Sequence, residues 1–356
     1  MAKQATITEI AKRAGVSIGT VDRVLHNRSG VSKKSREKIQ AILDEVGYKI
    51  NLHTSAVALR KEYRIVISVP EASEGEYWDS LLKGISQAME EYSDIHIICD
   101  TLAYDQFDPA SCREAFSKVA GLNPDAVIIG PTFDRETHDL CSKLDENGVP
   151  YIFVDTTFPD TNPLAAFTAD QPAGGSIIGS LLCSMVGKDD RIALILSKSG
   201  EHVKAQNAEQ RRQGLLQYMA QTSSSGRLIE VELDLGSPSS THGQLASLFG
   251  SHPEIKGVCI LNSRGHIVGE FLRNEGIPNI KVVAFDLTDR NIRCLEDGSI
   301  FALICQRPER QGFLAVTTLL EYLLYRRKSL NPHILMPLDI VLRENLPYYQ
   351  TTDPGV

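Results

Sequence analysis

Thr6-Ile7-Thr8-Glu9-Ile10-Ala11-Lys12-Arg13-Ala14-Gly15-Val16-Ser17-Ile18-Gly19-Thr20-Val21-Asp22-Arg23-Val24-Leu25 carries two short helical patterns with almost no loop between them. Thr6 and Glu9 fit a capping box, in which a hydroxyl accepts from the amide three residues on and a carboxylate reaches back. Ile7, Ile10, Ala11 and Ala14 then share one helical face, and Gly15 supplies a left-handed stop. Ser17 reads as a second N-cap, followed by Val21, Val24 and Leu25 at helical spacing, until Asn27-Arg28-Ser29-Gly30 turns the chain. A third pattern opens at Ser32, shows Ile39, Ile42, Leu43 and Val46 on one face, and closes at Gly47. Three short helices with a tight Gly-containing turn between the first two predict a helix-turn-helix, whose second helix fits a major groove. On that helix Ser17 and Thr20 suit phosphate contacts, and Arg23 can bridge guanine O6 and N7.

The whole chain of 356 residues has a formal charge of −8, which taken as an average argues against a polyanionic partner. The average hides a division. Residues 1–62 hold 12 Lys/Arg against 6 Asp/Glu, net +6, whereas the remainder holds 25 against 39, net −14. A small basic head on a large acidic body is the charge asymmetry expected of a nucleic-acid contact confined to one segment. The length corresponds to two or three domains of roughly 150 residues and needs no disulfide or metal staple. With 42% hydrophobic residues, the chain shows no apolar run approaching the ~18 residues of a membrane span. Its first residues show no apolar stretch of signal-peptide length, so a cytoplasmic location is expected. Seven cysteines (Cys99, Cys112, Cys141, Cys183, Cys259, Cys294 and Cys305) are odd in number and scattered, with no Cys-x-x-Cys pair. They read as reduced core residues, and neither a metal nor a cofactor is expected.

Within the head, Thr6-Ile7-Thr8-Glu9-Ile10-Ala11, Ala14-Gly15-Val16-Ser17, Thr20-Val21-Asp22-Arg23-Val24-Leu25, Val31-Ser32 and Ser35-Arg36-Glu37-Lys38-Ile39 closely resemble the DNA-binding domain of the lac repressor family of bacterial transcription regulators. The resemblance implies that Ile18, Gly19 and Arg23 face base edges, while Thr6, Ser17, Thr20, His26, Ser32 and Ser35 face phosphates. Where the family usually has Ser this chain has Asp22, which either accepts from a cytosine amino group or holds Arg23 or Arg28 in place; the second role is favoured. Gly19 brings no side chain to its base-reading slot, which shifts discrimination onto Arg23 and Ile18. The linker 51–60 corresponds to the family's hinge helix, which wedges a leucine into the minor groove; Val57 aligns with that leucine and Leu59 is the nearest alternative. Ile50 replaces the usual proline, so the hinge entry is less rigid.

From Arg64 onward, β-branched runs alternate with helical patterns. Strands are expected over 64–69, 95–100, 126–130 and 151–155, then over 191–197, 228–233, 257–261, 281–285 and 301–305. Near-continuous apolar strands separated by helices predict two doubly wound parallel-sheet lobes, with ligand outside the carboxyl ends of the strands. Those ends are polar: Asp155, Asn262, Asp286 and Gln306 each follow an apolar run, the only tryptophan stands in Tyr77-Trp78, and Arg211 opens Arg211-Arg212-Gln213-Gly214 near a helix start. Aromatic faces together with carboxylate, amide and guanidinium groups are what a sugar-like polyol requires. Each also has a plainer reading, since an Asp after a strand is often a helix N-cap and adjacent aromatics are usually core.

Residues 63–346 resemble the effector domain of the same family and the periplasmic ribose-type binding proteins, through Tyr77-Trp78-Asp79-Ser80-Leu81, Val154-Asp155, Ala169-Asp170-Gln171, Arg211-x-x-Gly214, Leu261-Asn262, Ala284-Phe285-Asp286, Gln306-Arg307-Pro308 and Leu342-Arg343-Glu344-Asn345. The resemblance implies a cleft lined by Tyr77, Trp78, Asp155, Arg211, Asn262, Asp286 and Gln306. Ribose-type sites follow the first Asp with Arg, and here Thr156 stands there, so a pentose, hexose or polyol of another hydroxyl pattern is equally open. The expected organisation is a helix-turn-helix domain over 1–50, a hinge over 51–62, a first lobe over 63–167 and 307–331, a second over 168–306 and 332–349, and a tail over 350–356. Crossings between lobes are placed near Thr168, Gln306 and Asn331.

An enzyme is not expected. The chain has no G-x-S-x-G, H-E-x-x-H or Walker loop, and no histidine paired with a nucleophile. The leading expectation is a transcriptional regulator whose grip on a pseudo-palindromic operator is gated by a sugar or polyol between the lobes. The alternative is a sugar-binding sensor with weakened DNA binding that acts through a protein partner. The terminus lacks leucine heptads, so a homodimer is expected rather than a helix-tethered tetramer.

Overall fold

The structure, a computed structural model, describes residues 7–25, 30–45, 62–197, 206–234, 237–327 and 331–350. The head contains α1 (Ile7–Ala14), α2 (Ile18–Leu25) and α3 (Lys33–Glu45). Ile10, Ala11, Ala14, Val21, Val24, Ile39, Ile42 and Leu43 form its core, so the periodic apolar positions of all three helices point at one another. Gly15 takes φ +71 at the turn. Ser17 caps α2, its hydroxyl accepting from the Thr20 amide at 3.1 Å, and Ser32 caps α3 by accepting from the Ser35 amide at 3.1 Å.

The first lobe is built from β1 (Tyr63–Pro70), α4 (Tyr77–Glu91), β2 (Ile97–Tyr104), α5 (Pro109–Val119), β3 (Ala126–Ile129), α6 (Asp134–Glu146), β4 (Tyr151–Asp155) and β5 (Ala165–Ala169). The second follows with α7 (Gln171–Met185), β6 (Arg191–Ser197), α8 (Gln206–Gln221), β7 (Leu228–Leu233), α9 (Pro238–Ser251), β8 (Ile255–Ile260), α10 (Gly265–Asn274), β9 (Lys281–Phe285), α11 (Asp289–Glu296) and β10 (Ala302–Cys305). The chain then returns as α12 (Pro308–Tyr325) and β11 (His333–Met336) to the first lobe, and as β12 (Asp339–Val341) and α13 (Pro347–Gln350) to the second.

Strand order is β11-β5-β4-β3-β1-β2 in one sheet and β12-β10-β9-β8-β6-β7 in the other, parallel throughout except for β12. Both sheets therefore reverse direction beside their first strand, which is where such folds place ligands. Alternate strand residues face opposite layers. In the first lobe Ile65, Ile67 and Ile128 pack on α4 and α12, while Val66, Val127 and Ile129 pack on α5 and α6. The second lobe repeats the scheme, with α9, α10 and α11 on one face and α7 and α8 on the other.

All nine expected strands form, and β5, β11 and β12 join them. Ala165-Ala166-Phe167-Thr168-Ala169 has small residues where a strand signal needs β-branched ones, and the other two are edge strands of four and three residues. Their presence shifts the crossings: the first follows Ala169 rather than Thr168, and the third follows Met336 rather than Asn331, because β11 pairs with β5 in the first sheet. The crossing at Gln306 lies as expected, between β10 and α12. Five cysteines are buried, but Cys99 is exposed on edge strand β2 and Cys183 is half-buried, so the reading of all seven as core residues is corrected for these two. All seven are free thiols.

In each lobe two helices touch backbone to backbone through glycines. A Cβ on Gly84 would lie 1.9 Å from the Glu309 carbonyl and one on Gly312 2.2 Å from that of Leu81, which locks α4 against α12. Likewise a Cβ on Gly175 would lie 1.8 Å from the Arg211 carbonyl and one on Gly214 1.9 Å from that of Pro172, locking α7 against α8. Gly214→Ala must push α7 and α8 apart and is expected to destabilise the second lobe by ~2–4 kcal/mol in guanidinium unfolding. Gly243→Ala, on α9 with nothing within 4 Å, is expected instead to stabilise by ~0.5–1 kcal/mol; equal effects of the two would contradict the packing account.

Candidate functional site

A cleft of about 240 Å³ opens between the lobes at the carboxyl ends of both sheets. Tyr77, Trp78, Asp155, Arg211, Asn262, Asp286 and Gln306 all line it, so the structure brings the seven expected ligand residues together. The first three come from the first lobe and the rest from the second. Tyr77 and Trp78 begin α4, buried with rings 5.2 Å apart edge to face, and Trp78 fits only because Gly130 has no side chain in its way: a Cβ there would lie 2.6 Å from Cζ3. They serve as core and cleft wall at once.

Asp155 and Asp286 occupy equivalent places, ending β4 and β9, the corresponding strands of the two sheets. Both take left-handed backbone, φ +71 and +68, which is rare for a residue with a side chain. That conformation turns each carboxylate into the cleft rather than onto the following helix. Thr288, not Asp286, caps α11. Asp155 accepts from Tyr77 Oη at 2.9 Å and, across the cleft, from Asn207 Nδ2 at 2.8 Å. Asp286 accepts from Gln306 Nε2 at 2.8 Å. Asn262 takes the plainer role as well, its Oδ1 accepting from the Arg264 amide at 3.0 Å in a local turn.

Arg211 lies one turn into α8, farther from the described helix start than its sequence suggested, and is 4% exposed. Its Nε donates to Gln171 Oε1 at 2.6 Å, Nη1 to the Leu261 carbonyl at 2.7 Å and Nη2 to Gln306 Oε1 at 2.9 Å, while its plane rests 3.7 Å from the Phe285 ring centre. Gln306 is thus held by a cation on its oxygen and a carboxylate on its nitrogen. Its backbone carbonyl accepts from Gln311 Nε2 at 3.0 Å, and Gln311 Oε1 accepts from the Asp155 amide at 2.8 Å. The polar chain therefore runs unbroken from one lobe to the other. Gln171, Asn207 and Gln311 were missed from sequence; the available signal was Gln311 standing in line with Ala315 and Leu319 on the buried stripe of α12.

Burial drives the ionisation of the site. It pushes Asp155 up and Arg211 down, and the Tyr77 phenol is raised far enough to remain neutral. Asp286 is pushed up to about 6 by burial, with smaller upward contributions from Asp155 and Glu76, against the downward pull of Arg211 and Gln306.

In the head, Ile18 is 52% exposed, and Gly19 and Arg23 are exposed beside it, on the side of α2 away from Val21 and Val24. The Ser17 and Thr20 hydroxyls lie 2.9 Å apart, as do those of Ser32 and Ser35. Thr6, His26 and Val57, with residues 51–61 of the expected 51–62 hinge, lie outside the described residues.

Two similar α/β lobes with a polar cleft at their switch points, preceded by a helix-turn-helix, define a regulator-type architecture on a periplasmic-binding-protein body. Comparison with known proteins agrees. Residues 65–326 match the periplasmic binding protein domain, and residues 6–51 match the bacterial regulatory proteins of the lacI family. A solved LacI-type transcriptional regulator from Bacteroides fragilis is 30% identical, with a TM-score of 0.77, covering 82% of this chain and 100% of that one. The chain belongs to the lacI family of bacterial regulatory proteins. GanP, a glucose-galactose binding protein from Geobacillus stearothermophilus, shares the fold at 19% identity and TM-score 0.66, over 81% of this chain and 100% of that one. The HTH-type transcriptional regulator DegA of Bacillus subtilis (strain 168) is 30% identical over 167 residues, 47% of this chain and 44% of its own length. The chain spans about half the length of the curated relatives it matches.

Raising the Asp286 carboxyl from 3.8 to about 6 means that the folded state holds its proton more tightly than the unfolded chain. That contribution to stability is complete below about pH 3.8 and is lost as pH rises toward about 6. Asp286→Asn stays neutral throughout, so its melting temperature is expected to match wild type near pH 4 and to exceed it at pH 7, by the equivalent of up to ~3 kcal/mol. A difference that does not change with pH would rule out a buried carboxylate ionising here.

Proposed function

We propose that the chain is a ligand-gated transcriptional regulator: α2 reads DNA, and a sugar or polyol held between the lobes sets the affinity for it. The observation that carries the reading is the pairing, in one chain, of an exposed Ile18-Gly19-Arg23 face on the second helix of a helix-turn-helix with a cleft of carboxylates, amides, a guanidinium and paired aromatics. Apolar Ile18 suits a thymine methyl and Arg23 suits guanine, while the Ser17-Thr20 and Ser32-Ser35 hydroxyl pairs suit phosphates at two helix starts. Thr6 and His26 join them as phosphate contacts, and Val57 as the minor-groove wedge. The cleft offers Asp155, Asp286, Asn262 and Gln306 for vicinal hydroxyls and Tyr77-Trp78 for C–H faces of the ring.

Gating follows from closure. The Asp289 amide of the second lobe donates to the Gly75 carbonyl of the first at 3.0 Å, and Asn207 reaches Asp155 across the cleft. A ligand that contacts both lobes favours this closed arrangement. In a homodimer that shifts the spacing of the paired heads and hence their fit to two half-sites. An effect of ~100-fold on operator affinity requires only about 2.7 kcal/mol of differential binding.

Selection from randomised duplexes with the full chain is expected to enrich a pseudo-palindrome, and Arg23→Ala to weaken its binding by roughly 10- to 100-fold in fluorescence anisotropy. Absence of any enriched sequence would favour a sensor acting through a protein partner. In a thermal-shift panel of pentoses, hexoses and polyols, at least one member is expected to stabilise the wild type but not Asp155→Ala. A ligand that shifts both equally does not bind this cleft.

A further inference from the structure

Among the described residues, the charged side chains lining the cleft are four carboxylates, Glu71, Glu76, Asp155 and Asp286, and one guanidinium, Arg211, with no lysine or histidine. The guanidinium is already engaged, donating to Gln171, Gln306 and the Leu261 carbonyl and lying flat on Phe285. Thr156, immediately after Asp155, is uncharged and 8% exposed. At three of the helix starts around the cleft and crossover a side chain already holds an amide, whereas α4, which opens with Tyr77 and Trp78, has no side-chain cap. Asn262 holds the Arg264 amide, Thr288 that of Asn291, and Asp170 that of Ala173.

The spare polar capacity of the cleft is therefore for accepting hydrogen bonds. Asp155 can only accept when ionised, so Asn207 must turn its Nδ2 toward it, and this fixes the amide with its Oδ1 elsewhere. That Oδ1 is buried without a partner, and so is Oε1 of the neighbouring Gln206; both residues line the cleft. Two orphaned carbonyl oxygens beside two carboxylates, with two more carboxylates at the mouth, call for a ligand rich in donors and carrying positive charge.

We propose that the cleft takes an amine-bearing sugar or polyol, with its ammonium group toward the acceptors of Asp155, Asp286, Gln206 and Asn207 and its carbon skeleton against Tyr77 and Trp78, and that it rejects phosphorylated and carboxylated sugars. This rests on the reading of the cleft as a sugar site and narrows it by charge. An ammonium group compensates the surplus carboxylates and supplies three donors at one point, whereas a phosphate ester adds like charge to a cleft whose described lining sets four carboxylates against one guanidinium.

The test is calorimetric titration of the full chain at pH 7 with D-glucose, D-glucosamine and D-glucosamine 6-phosphate, and with the corresponding galactose series. The amine is expected to bind at least tenfold more tightly than its neutral parent, and the phosphate ester to give no measurable heat. Asp286→Asn is expected to bring the amine-to-neutral ratio toward one. Glu76→Gln, on an exposed side chain at the cleft mouth, is expected to lower the same ratio about threefold, giving a second readout if the buried variant does not fold. Neutral sugars binding as well as their amines overturn the inference and leave the sugar reading standing, as does binding of the phosphate ester. A ratio unmoved by either variant removes its charge basis, and no heat from any of the six compounds overturns the inference together with the sugar reading.

Discussion

The buried guanidinium of Arg211 is the constraint around which the cleft is arranged. A cation at 4% exposure is tolerated only if its hydrogens find acceptors, and three separate elements take three of the five: Gln171 at the start of α7, Leu261 after β8, and Gln306 after β10. Each of those segments also forms cleft wall or crossover. Losing Arg211 would leave Gln306 misoriented and Asp286 without its main opposing charge. The close approach of α7 and α8 belongs to the same constraint, because Gly175 rests directly on the Arg211 backbone carbonyl. Two glycines that bind nothing thus fix where the charge sits.

The two lobes solve one problem twice. Each has its strands in the same order, and each ends its corresponding strand in an aspartate at positive φ. Left-handed backbone costs a non-glycine residue roughly 1 kcal/mol or more, and such strain persists where surrounding contacts over-determine it. Here they do: Gln311 holds the Asp155 amide, and the Ile304 carbonyl holds that of Asp286. The strained turn keeps each carboxylate from capping the next helix, the role its position after a strand would otherwise give it. What distinguishes the lobes is the partner supplied to the carboxylate, a phenol and an amide for Asp155 and a single amide under a cation for Asp286. Both acids are pushed up by burial.

Most of this architecture was legible in the sequence because it depends on period and on strand ends. Apolar runs such as Val282-Val283-Ala284-Phe285 declare a strand buried on both faces, and the polar residue after each run declares the cleft. The three additional strands were not legible, since Ala165-Ala166-Phe167-Thr168-Ala169 is mostly alanine with a single β-branched residue and no alternation, and pairing with its neighbours is what extends it. That omission carried the third crossing with it. Gln171, Asn207 and Gln311 escaped for a different reason. Beyond the place of Gln311 on a buried stripe, an amide in a helix has little local signature, and its role arises only when α7, α8 and α12 are brought to one place by contacts 40 to 156 residues apart in sequence. The family resemblance supplied the positions of the seven lining residues, but not the fact that Arg211 spends three of its five donors on the protein.

That last point governs how the cleft can work. Apart from the Gln306–Gln311 chain at the crossover, the described links between the lobes include one backbone hydrogen bond between Asp289 and Gly75, one amide–carboxylate bond between Asn207 and Asp155, and Arg264 over Phe107 at 5.4 Å. Exchanging such bonds with water changes stability by only about 1 kcal/mol each, so in the gating we propose they weigh little against the contacts of a bound ligand. The interiors of the lobes, by contrast, are fixed by apolar cores and glycine contacts that do not change when the lobes part. A ligand touching Tyr77 and Asp155 on one side and Asp286 and Asn262 on the other adds its contacts only to the closed arrangement, and moving a two-state equilibrium decisively from one side to the other takes about 5.5 kcal/mol of such differential contact. In the gating we propose, Gln306 and Gln311, which tie the crossover to both lobes, direct that energy into the lobe angle rather than into rearranging the wall.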